Sequence, residues 1–199
     1  MRDTENQPSD FAQRVRREAR RRGFEQAIRQ VVIGDGAPWI WNLTSEYYPR
    51  AIQIVDLYHA KSHLCEVAQA IYGAGTTLSA QWAKRRHTEL ESGKFDALLK
   101  ALDKHQATCK QAEDCLDYFV KNRQRMRYAH FRSKGLCVTS AVVEAGCKVT
   151  VGARLKRAGM HWTVRGANAI LALRCYRLSG RFEDFWERRP KTRACGSRA

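Results

Sequence analysis

Asp35, Asp56, His59, His63 and Glu144 are the side chains whose types and settings suit chemistry. Asp35 follows Val31, Val32, Ile33 and Gly34, and is followed by Gly36, Ala37 and Pro38. Three β-branched residues in a row read as a short, fully buried strand. The glycines let the backbone turn tightly around the aspartate, and Pro38 suits the first turn of a helix. The pattern therefore holds a carboxylate at the C-terminal end of a buried strand, where open α/β sheets place their ligand crevices. The alternative for the same residue is an aspartate that only caps the following helix. A second apolar run, AIQIVD at residues 51–56, also ends in an aspartate, Asp56.

Three chemistries compete for these residues. In the first, Asp56-x-x-His59-x-x-x-His63 is a zinc set, because histidines four apart share a helical face. It lacks the glutamate of His-Glu-x-x-His, and a third ligand is unplaced. In the second, nothing is catalytic and basic faces simply hold DNA or RNA. In the third, carboxylates from strand ends and a distant helix gather around Mg2+ for phosphoryl transfer. Magnesium prefers carboxylate oxygen and water, and two such ions can activate an attacking hydroxyl and stabilise a leaving oxygen. No phosphate-cradling glycine loop is present, since GDGAPW lacks the Lys-Ser/Thr of a P-loop and no G-x-G-x-x-G occurs.

The elements that must position these residues follow from hydrophobic periodicity. Ser9 or Asp10 caps a helix over residues 10–29, with Phe11, Val15 and Ala19 on one face. Its other faces carry Arg14, Arg16, Arg17, Arg20, Arg21 and Arg22, which reads first as a solvated surface. Strands over 30–34 and 51–55 enclose a helix from Pro38 to about Tyr48, stopped by Pro49. Strand, helix and strand with short links make a parallel, right-handed unit. From residue 57 the pattern is helical only: 57–72, then TTLSAQWAKRRHTELES, KFDALLKALDKHQ and 109–131. A short apolar connection leads to a helix starting near Ser140, where Val142, Val143, Cys147, Val151 and Leu155 form a stripe. Glu144 stands beside that stripe, on a face expected to lean toward the sheet. A last helix, VRGANAILALRCYRL, precedes a basic tail after Trp186.

Composition narrows the partner. The 199 residues carry a formal net charge of +16. Residues 148–199 hold 13 Lys and Arg against Glu183, Asp184 and Glu187, a local charge of +10. Such a basic quarter favours a polyanion, most often nucleic acid. Lys148, Arg154, Lys156, Arg157 and Arg165 are the candidates for meeting phosphates, with a solvated face as the alternative. Trp162 either packs on a sugar or base or is a core tryptophan. No apolar run approaches the roughly 20 residues of a membrane span, and MRDTENQPSD is too polar for a signal peptide. Seven cysteines without disulfide spacing suit reduced thiols in a cytoplasmic protein, and a DNA partner would make that protein nucleoid-associated.

Several blocks in order, GDGAPWIWNLTSEYYPRAIQIVDLYHAKSHL, RMRYAHF, VVEAGCK, RLKRAGMHW, RGANAILALRC and SGRFEDFWERR, closely resemble bacterial insertion-sequence transposases of the ISKra group. These are DDE enzymes of RNase H-like fold, related to Mutator-like transposases. The resemblance runs from about residue 10 to 189. It implies metal-dependent phosphodiester hydrolysis and strand transfer at mobile-element ends, with Asp35 as the second catalytic Asp and Glu144 as the catalytic Glu. Both would hold Mg2+, in a two-metal site when the set is complete, and the intact enzyme would be a homo-oligomer on DNA. Asp56 and His59 match a D-x-x-H that shapes the site.

The fold expected is α/β, mostly helical: a partial RNase H-like core of two parallel strands with an all-helical insertion. Residues 1–72 form the first half of that core, 73–132 the insertion, 133–189 the Glu-bearing and C-terminal helices, and 190–199 a basic tail. Two departures accompany the resemblance. Thr139-Ser140-Ala141 replaces a glycine-serine-glycine before the glutamate. The strand bearing the first catalytic Asp has no counterpart, and neither Asp3 nor Asp10 lies in a strand-like run. The expectation is a C-terminal part of a transposase, inactive by itself, with a non-enzymatic DNA-binding protein as the rival.

Overall fold

The computed structural model of the chain describes residues 10–156 and 158–187. The lead-in, Arg157 and the basic tail over 190–199 lie outside the described residues. The chain divides into two compact units, one ending at Ser140 and one beginning at Ala141.

In the first unit, helix α1 spans Asp10–Arg21 and stops short of the expected residue 29. Gly23 is the cause: its φ of 72° is left-handed, and the chain tightens into a 3-10 turn over Phe24–Gln26. Strand β1 (Val31–Gly34), helix α2 (Pro38–Tyr47) and strand β2 (Ile52–Val55) follow as the spacing predicts. The strands pair in parallel, Val31 opposite Ile52 and Gly34 opposite Val55. Among the described residues the sheet has two strands only, and β1 is paired along one edge.

Two strands cannot form a stable sheet alone. Helices α3 (Leu57–Tyr72), α4 (Thr77–Glu91), α5 (Phe95–Gln106) and α6 (Lys110–Asn122) supply the cover. Leu57, Ala60, Leu64, Val67 and Ala68 make the buried stripe of α3 at helical spacing. They share one core with Ile54 and Val55 of β2, Leu98 and Leu102 of α5, and Phe119 of α6. The strand pair and the helices after residue 73 are thus packed on a common centre. Where one helix was expected over 109–131, the chain forms α6, a 3-10 turn over Arg123–Met126, and α7 (Tyr128–Ser133). The tighter turn sets Met126, only 1% exposed, into the core beside Ile54.

The second unit contains α8 (Ala141–Cys147), a π-helical segment over Lys148–Gly152, α9 (Ala153–Leu155), α10 (Val164–Leu178) and α11 (Phe182–Glu187). A continuous helix was expected from Ser140 onward. The π segment interrupts it and shifts Val151 and Leu155 out of register with Val142 and Cys147. Arg174 of α10 compensates the altered ladder: its guanidinium donates to the carbonyls of Thr150 and Val149, at 3.0 and 2.8 Å. Thr163 caps α10 by accepting from the Gly166 N–H at 3.1 Å. The Tyr176 and Phe185 rings, 5.3 Å apart, hold α11 on α10. No described helix is long and apolar enough to cross a membrane.

Packing of the first unit gives a direct test. Leu98 is fully buried and Leu78 is 62% exposed. Leu98→Ala is expected to lower unfolding stability by about 2–5 kcal/mol, whereas Leu78→Ala stays within about 0.5 kcal/mol. Urea melts of both variants read the difference, and equal losses would contradict this core.

Candidate functional site

Asp35 lies one residue beyond β1, in the turn that opens α2, and its side chain is exposed. One carboxylate oxygen accepts the Ala37 N–H at 2.9 Å, a local turn that fixes the side chain's direction. No partner for the other oxygen occurs among the described residues. The capping role and the ligand role are therefore compatible, one oxygen for each. Tyr118 of α6 clamps the same turn by donating its hydroxyl to the Asp35 carbonyl at 2.7 Å. Gly36, at φ 100°, lies so close beneath that ring that a Cβ would meet Tyr118 atoms at 2.5–2.9 Å. Glycine is required there for both its conformation and its missing side chain. Burial first, then the Asp35 charge, pushes the Tyr118 hydroxyl well above its ordinary value, so it stays a donor.

Asp56 stands at the same end of the sheet, since the register that pairs Gly34 with Val55 puts residues 35 and 56 side by side. Its environment is opposite. Asp56 is 4% exposed and both oxygens are engaged. One accepts the His59 N–H at 2.9 Å and caps α3. The other accepts the Ser140 N–H. The Leu57 N–H donates to the Val138 carbonyl at 3.0 Å, so the segment before Ala141 is pinned twice to the start of α3. Burial would raise the Asp56 carboxyl, but the Ser140 and His59 N–H groups and the Ser140 hydroxyl outweigh it and leave it below the usual range.

His59 and His63 continue the cluster along α3, with ring centroids 4.8 Å apart. His63 packs against Tyr118 at 4.5 Å. Burial and the neighbouring His59 depress the His63 pKa, against the pull of Glu66 and Asp35. Of the zinc arrangement Asp56, His59 and His63, Asp56 already accepts a backbone N–H on each of its oxygens. Among the described residues no group of three or more His, Cys, Asp and Glu side chains is placed to hold a metal ion. Asp35 does offer a hard, outward oxygen, and Mg2+ is commonly bound through one or two protein carboxylates plus substrate phosphate and water. A cleft of about 460 Å3 opens beside this turn, lined by Gly36, Trp41, Asp117, Tyr118 and Arg125 among others. Arg125 stacks over Trp41 at 4.8 Å and donates to Gln53 at 2.7 Å.

Glu144 belongs to the second unit, in the first turn of α8. Lys148 opens the π segment, and Lys156 and Arg165 are exposed. Arg154 lies over the Trp162 ring at 5.7 Å, and Trp162 is 36% exposed. Trp162 is therefore a partly open platform under a guanidinium, and the core reading does not hold. The six described cysteines are free thiols. Tyr118 and Ser140 are the contributors that the motifs did not reveal. Tyr118 sits in an ordinary amphipathic stretch, and the signal for it was Gly36, a glycine that something bulky must approach.

The Asp56 arrangement has a pH signature. Its folded pKa lies below the unfolded one, so its stabilisation is full above the unfolded carboxylate value of about 3.9 and is lost as pH falls through the folded value. Asp56→Asn should lower stability near neutral pH by about 1–2 kcal/mol and flatten the acid limb of the stability profile. Denaturant melts between neutral and acid pH measure both, and an acid limb identical to that of the parent would remove Asp56 from this role.

Compared with family models, with curated proteins and with solved structures, the chain has no match in any of the three.

Proposed function

We propose that this chain carries the Asp- and Glu-bearing part of a DDE-type DNA transposase of RNase H-like fold, acting on phosphodiesters at mobile-element ends. The observation that supports the reading is Asp35: a carboxylate at the C-terminal end of a parallel strand, on a turn locked by Tyr118, with one oxygen unengaged. Asp35 and Glu144 would hold Mg2+, which supplies charge stabilisation at the attacked phosphate. The protein's own contribution is placement. Tyr118 and Gly36 hold the Asp35 backbone, and Asp56 fixes where the chain departs toward α8. His59 and His63 stand along α3 beside Tyr118. Lys148, Arg154, Lys156 and Arg165 would neutralise DNA phosphates, and Trp162 would present a flat face beside them. Arg157, of the same basic run, lies outside the described residues. A homo-oligomer on DNA belongs to the same reading.

Iron-directed backbone cleavage tests the metal assignment without requiring turnover. Fe2+ with ascorbate and peroxide is expected to cut the chain near residues 35 and 144, and Asp35→Ala to abolish both cuts while Mg2+ competes them away. Cuts elsewhere, or cuts unaffected by the substitution, would overturn it.

The rival reading, DNA binding without catalysis, draws on the exposed basic side chains Lys148, Lys156 and Arg165. Both readings share the basic surface. Replacing Lys148, Lys156 and Arg165 by alanine should reduce the magnitude of the log-affinity against log-salt slope on duplex DNA by about 2–3. An unchanged slope would assign these side chains to a solvated face.

A further inference from the structure

A second cleft of about 390 Å3 lies in the first unit, between α4 and α5. Its volume falls within the roughly 300–1,000 Å3 typical of small-molecule sites. Three aromatic rings line it. Tyr72 and Trp82 are 6.4 Å apart, Tyr72 and His105 6.2 Å, and Trp82 and His105 6.4 Å. None of the three is fully buried. Around them stand Arg85, Arg86, Lys100 and Lys104, with Glu89 as the only carboxylate in the lining.

The floor of this cleft is a built feature. Arg86 and Glu89 are 6% and 8% exposed and pair at 2.7 Å. Arg86 also lies over the Trp82 ring at 5.3 Å. The pair is incompletely satisfied: the Arg86 Nε and one Glu89 oxygen, both enclosed, have no hydrogen-bond partner. Both atoms are sealed from solvent, so the pair shapes the floor and supports Trp82 from one side, and the accessible parts of the three rings are the surface on which a flat heterocycle can stack. The rim complements the phosphate that such a heterocycle carries in a nucleotide. Lys100 and Lys104 are exposed, and they share one helical face at the i, i+4 spacing, suited to a phosphate. Arg85 is 79% exposed along its side chain and makes only a 3.4 Å contact to Glu89.

We infer that this cleft binds a nucleotide unit, its base against Trp82, Tyr72 and His105 and its phosphate at Arg85, Lys100 and Lys104. The source is either a free mononucleotide or an unpaired nucleotide of a single strand; the chemistry recognised is the same. Stacking on aromatic side chains beside a basic rim is how single strands are held without sequence preference. The inference stands on α4, α5 and the last residue of α3 and does not require metal chemistry at Asp35.

The test uses the full chain carrying 5-fluorotryptophan, with the Trp82 resonance identified by its loss in Trp82→Phe. Fluorine spectra are recorded during titration with thymidine monophosphate, with an oligothymidylate of about ten nucleotides, and with inorganic phosphate. A shift of the Trp82 resonance with either nucleotide probe is expected. A response to both admits either source, and a response to the strand alone identifies the single strand. A double variant, Lys100→Glu with Lys104→Glu, should weaken that response at least tenfold while leaving the other tryptophan resonances in place. The proposal is overturned if Trp82 stays unmoved at saturating strand, or if inorganic phosphate reproduces the whole shift. It also fails if the double variant responds like the parent. Since Asp35→Ala is expected to leave every one of these shifts intact, failure here is distinct from failure of the metal site.

Discussion

The carboxylate of Asp56 is the constraint on which the first unit depends. A single buried side chain accepts from two backbone N–H groups 81 residues apart, those of His59 and Ser140. One bond starts α3, and the other fixes the end of a long helical excursion back onto the strand pair. A charged acceptor there satisfies an amide in the first turn of α3 and the Ser140 amide together, and backbone amides left unmet in partly buried settings are expensive to desolvate. The arrangement also separates the two strand-end aspartates by role. Burial and saturation make Asp56 an internal tie, while exposure leaves Asp35 available. Residue type and position at a strand end are the same for both; only their surroundings differ.

Much of this framework was legible from the chain. The two strands, their parallel sense, the helix between them and the boundaries of α3, α4 and α5 follow from β-branched runs, Pro38, Pro49 and the punctuating glycines. What escaped has a common cause: it depends on contacts far apart in sequence. The 3-10 turn at Arg123–Met126 is dictated by Met126 reaching the core. The π segment lies within a run whose periodicity looked α-helical, and it coexists with an arginine more than twenty residues later that can serve its carbonyls. Tyr118 could not be read as a clamp because nothing in its own helix distinguishes it from a packing residue. Helix α11 was missed because six residues give too little periodicity to separate a helix from a loop.

The basic charge is distributed over several kinds of setting, and these differ in what they can do. Arg86 is enclosed and paired, Arg125 is stacked on Trp41, Arg154 covers Trp162, and Lys148 and Lys156 are open to solvent. A stacked guanidinium is already oriented and loses little freedom on meeting a phosphate, whereas an open lysine contributes charge with little geometry. Net charge alone describes the long-range field. Local anchoring decides which of the cations can impose a direction on a bound strand.

The π segment between α8 and α9 has a consequence for phase. An α-helix advances about 100° per residue, the angle implied by 3.6 residues per turn. A π turn absorbs roughly one extra residue into the same rise, so side chains before and after it are rotated relative to an uninterrupted helix. Glu144 precedes the segment and Arg154 follows it. The angle between the acidic and the basic direction of this stretch is therefore set by an under-wound turn whose Val149 and Thr150 carbonyls are held by Arg174. Arg174 acts as the pawl of a one-tooth ratchet: while it grips the Val149 and Thr150 carbonyls, the two directions keep a single offset.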